Sequence, residues 1–214
     1  MKNHQTSIVA SLRSALVILA MAGLTACASA PPEITYYLLR PPVDEGSGPV
    51  DAPIRAGLGR VVVAPYLERT NGIQIETRDG EMRPAGQYQW AESLAAGVRW
   101  YLGAEVGQRL GHQIGGGLTD RRDWDYTVDV FVERLHGTMT GEAVMVASFL
   151  VRGGSTATGG PERYEYRFSE SMPLPDEGYT AVVEAEKALL AKFAGAIADV
   201  LRERIEAREL AGGS

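Results

Sequence analysis

The chain of 214 residues has a single cysteine, three lysines and three histidines. One thiol excludes an intrachain disulfide, so packing alone has to hold the fold. With 27 acidic residues and a formal charge of −6, the chain lacks the clustered positive surface that nucleic acid or a broadly basic, membrane-hugging face requires. It has no apolar run long enough to cross a bilayer. There is no G-x-S-x-G elbow, and no Gly-Lys-Ser/Thr follows the glycines of "GHQIGGGLTD" (111–120), which precede a strand pattern rather than a helix. That excludes a nucleophile elbow and a phosphate loop.

What is present begins at the N-terminus. Lys2, His4 and Arg13 form a weakly basic start, and Ala15 to Leu24 is a short apolar run of the signal-peptide kind. Leu24-Thr25-Ala26-Cys27 then resembles the bacterial lipobox. The resemblance implies cleavage before Cys27, a diacylglycerol thioether on its sulfur and an acyl group such as palmitate on its amino end. Ala28 is not the aspartate of an inner-membrane retention signal, so the outer membrane, on its periplasmic side, is expected. The predicted organisation is a signal peptide at 1–26, a short tether at 27–33, a single globular domain at 34–208 and a flexible tail at 209–214. Without the signal, 19 basic residues face 27 acidic ones, a formal charge of −8. Attachment would come from lipid rather than from charge.

Hydrophobic periodicity gives the elements. Ile34 to Leu39, Gly59 to Leu67 and Ile73 to Thr77 read as strands, with Pro65 ending the second or marking an edge. Leu94, Val98, Tyr101, Leu102, Val106 and Leu110 recur at helical spacing within a helix from Trp90 that Gly111 closes. Asp125 to Leu135, Ala143 to Val151 and Arg163 to Ser169 read as an antiparallel meander. A second long helix starts near Glu177 and carries an apolar stripe from Val182 to Ile205. The expected fold is of the α+β kind, a single α/β domain with a mixed, mainly antiparallel sheet and two long helices packed on it.

Groups for catalysis are scarce. His112 and His136 fall just beyond a helix and a strand and read as solvated turn histidines rather than as a catalytic or metal pair. "DRRDWD" (120–125) has the acids of a cation loop without its central glycine or closing glutamate. Tyr36, Tyr37, Tyr66, Trp90 and Trp100 either line a groove for lipid or partner or belong to the core. No enzyme activity, cofactor or metal is expected.

The order of "YYLL" (36–39), "APYL" (64–67), "QWAESLAAGV" (89–98), "YTVDVFVERLHGTMTGEAVMVASFLV" (126–151), "YRFS" and "GYTAVVEAEKALLAKFAGAIADVL" resembles the PqiC/YmbA-like family, auxiliary lipoproteins of ABC-type intermembrane transport. The "GGSTATGGPE" link (153–162) departs from that pattern. The resemblance implies an outer-membrane lipoprotein acting with a periplasmic MCE-domain protein and inner-membrane ABC components. Such systems move hydrophobic molecules between membranes and support envelope integrity. A symmetric conduit would favour a homo-oligomeric ring. Pro65, Tyr66 and Leu67 are candidates for partner contact. A stand-alone periplasmic lipoprotein binding a small hydrophobic ligand is the alternative, and an envelope hydrolase built on His112 or His136 a third.

Overall fold

The computed structural model describes residues 32–40, 55–115, 124–155 and 161–212. The signal segment, Cys27, the 41–53 loop and residues 156–160 of the 153–162 link lie outside them. The chain divides between Glu33 and Ile34, and the fold belongs to the unit that starts at Ile34.

Among the described residues, seven strands and three helices follow in order: β1 (Thr35–Tyr37), β2 (Ala56–Val63), α1 (Pro65–Glu68), β3 (Gly72–Glu76), β4 (Met82–Trp90), α2 (Leu94–Leu110), β5 (Tyr126–Thr138), β6 (Glu142–Ser155), β7 (Pro161–Pro173) and α3 (Tyr179–Gly212). One mixed sheet runs β1-β4-β3-β5-β6-β7, with β2 also paired to β5. The β5-β6-β7 meander and the β3-β4 pair are antiparallel. β1 on β4, and β2 and β3 on β5, are parallel. α3 runs to Gly212, into the stretch assigned from the sequence to a tail.

β5 organises the sheet because one of its edges serves two strands. β2 pairs with Tyr126 to Val132 and β3 with Gly137 and Thr138. Between them α1 begins, as the Ala64 amide donates to the Val132 carbonyl at 2.8 Å. The strand read over Gly59 to Leu67 spans Ala56 to Val63, and Pro65 ends it, one of the two roles expected of it. Pro65 has no amide proton to offer the ladder, and it opens a four-residue helix at its first turn.

Both long helices lie on one face of the sheet. α2 covers β2, and α3 covers β5, β6 and β7. Phe193 of α3 meets Phe149 at 5.7 Å and Phe168 at 5.2 Å between ring centroids, and Leu189, Leu190, Ile197 and Leu201 are fully buried around it. Tyr101 of α2 donates from its hydroxyl to the Lys187 carbonyl at 3.2 Å, joining the helices. The Ser93 side chain caps α2, accepting from the Ala96 amide. α2 therefore starts at Leu94 and not at Trp90, which ends β4. Gly111, at φ 74°, closes α2 in the left-handed conformation that glycine adopts without strain.

β4 is absent from the sequence reading because Pro84 and Gly86 interrupt it. Pro84 is tolerated because β1 covers only Tyr88 to Trp90, which leaves β4 an edge strand at Pro84.

Candidate interaction surface

The residues singled out in the sequence scatter. Of Pro65, Tyr66 and Leu67, Pro65 is exposed, Tyr66 half-buried and Leu67 buried in the core. Of the five aromatics proposed for a groove, Trp90 is core, Tyr37 and Tyr66 pack against it, and only Tyr36 and Trp100 are exposed. They form no common groove. Of "DRRDWD", Asp120 to Asp123 lie outside the described residues, while Asp125 pairs with Arg55 at 2.6 Å and Arg208 at 3.4 Å.

His136 is a correction. It lies inside β5, which continues to Thr138, and is 2% exposed rather than a solvated turn residue. Its Nε2 is 2.9 Å from Glu76 Oε2, and its Nδ1 is 3.1 Å from the Tyr66 hydroxyl. A neutral imidazole that donates to Glu76 and accepts from Tyr66 satisfies both contacts. Burial lowers the pKa of His136, although the hydrogen bond to Glu76 acts the other way. Burial also raises Tyr66 to about 12, with the nearby Glu186 carboxyl adding to the shift. Glu186, on the inner side of α3, is raised by burial to about 8 and is protonated at neutral pH. With both ring nitrogens occupied and the tyrosine held protonated, the group works as a polar clamp between α1, β3 and β5. His112, half-buried after α2, places Nδ1 3.0 Å from the Gln113 carbonyl. Among the described residues, neither histidine has a serine hydroxyl as partner.

The face of the sheet opposite α2 and α3 differs in kind. Val62 and Phe131 are exposed there, and Arg60, Asp129, Ser148, Leu150 and Glu165 line a shallow depression of about 270 Å³ with them. Asp129, at a position where strand alternation turns side chains to the open face, is nearly buried because it serves a bulge. β2 shifts register between Leu58 and Val61, leaving the Arg60 amide off the ladder, and Asp129 accepts it at 2.7 Å. Arg152 also donates to Asp129, and Arg167 forms a bidentate pair with Glu133 at 3.0 Å. From the other side, Arg99 of α2 donates to the carbonyls of Leu58 and Gly59. The bulge is thus satisfied from both faces, and the open face carries apolar side chains among paired charges. Such a surface suits a macromolecular contact better than a lipid tail.

This fold recurs among solved structures. The crystal structure of an uncharacterized protein superposes with a TM-score of 0.65 at 20% identity, covering 79% of this chain and 99% of that one. A Xanthomonas campestris protein, XCC0632 of the DUF330 family, gives 0.54 at 12% identity, covering 84% and 100%. No curated protein matches the sequence. The family model for the ABC-type transport auxiliary lipoprotein component matches residues 36–198. The chain belongs to this family. The matched span of the auxiliary lipoprotein runs from β1 into α3 and includes the whole open face. The family description is that of a transport accessory, not of a catalyst.

Proposed function

We propose that this auxiliary lipoprotein is held at the inner face of the outer membrane by lipid on Cys27. There its folded body receives the end of a periplasmic MCE-domain conduit belonging to an ABC-type lipid transport system. Family membership carries this reading. The lipobox supports the anchor, since each buried methylene contributes about 0.8 kcal/mol and more than one chain gives stable attachment. The tether from Ala28 to Glu33 spans at most about 20 Å, which keeps the body close to its membrane. The open sheet face, with Val62 and Phe131 exposed, is the docking surface in this reading, and Pro65, the exposed member of the α1 trio, is a second candidate for partner contact. The protein acts as a receptor for the conduit, supports envelope integrity, and assembles as a ring when the conduit is one.

The test is a pull-down of the tagged full-length protein from detergent-solubilised envelopes. Enrichment of an MCE-domain protein that is lost in a Val62→Asp, Phe131→Asp variant supports the reading. Co-purifying lipid with no MCE-domain partner favours the stand-alone binder. Light scattering on the purified protein, with and without the conduit, tests the ring: monomer in both removes it.

A further inference from the structure

The segment that follows the tether has its apolar side chains turned outward. Ile34, Tyr36 and Leu38 are 42%, 59% and 50% exposed. Tyr37 and Leu39 turn inward, the Tyr37 hydroxyl meeting Thr180 at 2.8 Å and Leu39 buried, while Thr35 is exposed. Tyr36 lies at the centre of β1, and Ile34 and Leu38 flank it one residue beyond either end, at the two-residue spacing that puts side chains on one side of an extended chain. Among the described residues β1 pairs only with β4, so it is also a sheet edge. Scattered exposed apolar residues need no explanation, but three at alternate positions along and beside an edge strand do. At the end of the segment the Arg40 guanidinium lies 5.6 Å from the ring centroid of Trp100, an indole that is 58% exposed. Tyrosine and tryptophan with a wet polar tip and an apolar body are the side chains that settle at a bilayer's headgroup level.

We infer that Ile34, Tyr36 and Leu38 form a membrane-contact strip that seats the body against the phospholipid surface. The inference rests on the anchor at Cys27. From Cys27 to Ile34 the chain spans at most about 25 Å, so lipid is the surface nearest to this strip. The mature formal charge of −8, from 19 basic and 27 acidic residues, gives no attraction to anionic headgroups. Contact must therefore be apolar and aromatic. The strip would set the orientation of the body, which a flexible tether alone leaves free.

The anchor makes a clean test possible, because a lipidated Cys27 leaves no free thiol. Single cysteines are introduced as Ile34→Cys, Thr35→Cys, Tyr36→Cys and Leu38→Cys, with Glu165→Cys on the open face as reference. Each mature protein is reconstituted in phosphatidylethanolamine and phosphatidylglycerol vesicles, labelled with a nitroxide, and probed with oxygen and a water-soluble nickel chelate. The expected oxygen-to-nickel accessibility ratio is several-fold higher at 34, 36 and 38 than at 35 and 165. Equal ratios at all positions overturn the strip while leaving the anchor intact. Shielding of 34, 36 and 38 from both probes overturns it in favour of a protein contact. Labelling of the parent protein at Cys27 overturns the anchor itself, and the inference with it.

Discussion

The two faces of the sheet are built from one set of strands and have opposite character. On the covered face, Val128, Val130, Ala147, Phe149 and Val151 meet Phe193, Leu189 and Ile197 in a core where burial disfavours the charge even of the Glu186 carboxyl. On the open face, Phe131 and Val62 stand among Arg60, Asp129, Arg152, Arg167 and Glu133. Stability is concentrated on the first face. Apart from Asp129, which satisfies the β2 bulge, the second is freer to change for recognition, because less of the fold depends on it.

That contrast can be broken by substitution. Phe193→Ala removes a fully buried ring that touches two others, and should cost about 3–5 kcal/mol in chemical denaturation. Gly115→Ala should cost about 1–3 kcal/mol, since its methyl would stand 2.1 Å from the Trp124 ring, which also rests on Gly57.

Glu186→Gln sharpens the comparison through pH. The unfolded carboxyl ionises from its ordinary value of 4.5, while the buried one stays protonated up to about 8. Between those values the wild-type fold loses up to about 1.4 kcal/mol per pH unit to this group as pH rises. Glutamine removes the loss, so denaturation midpoints measured from pH 5 to 8 should converge at the acid end, with the variant the more stable at pH 8. Phe131→Ala, on the open face, should cost less than about 1 kcal/mol. Arg167→Ala, which breaks a largely exposed pair, should change thermal stability by less than about 0.5 kcal/mol. A cost at Phe131 as large as that at Phe193 would end the distinction between the faces.

Much of the covered face was legible in the sequence, because burial on one side imposes a period. The stripes of α2 and α3 and the alternation along β5 and β7 gave those elements to within a few residues. β4 was hidden because its proline and glycine are admitted only by an edge that another strand leaves open, a fact of tertiary arrangement. The clamp of Tyr66, His136 and Glu76 was hidden for a related reason: its members are 60 and 70 residues apart and meet only because β3 and α1 share an edge of β5. Asp129 looked like a surface acid because nothing in the sequence marks the bulge whose amide it accepts. Of the two glycines of "GHQIGGGLTD" that the structure describes, Gly111 closes α2 and Gly115 has a packing explanation, room for the Trp124 indole, that no phosphate-loop comparison could supply.

β5 carries one more consequence. Its pairing with β6 slips by one residue between Val132 and Arg134, so Glu133 is a supernumerary position. Before it the even-numbered side chains face the helices; after it the odd-numbered ones do, with Leu135 and Gly137 inward and His136 turned to the other side. The strand thus contains a change of phase. Deleting Glu133 alone would remove the bulge, set Arg134 directly after Val132 and leave Leu135 and Gly137 inward. Pressing Glu133 into a regular ladder would instead turn the downstream half inside out, with Arg134 and His136 against α3 and Leu135 in water.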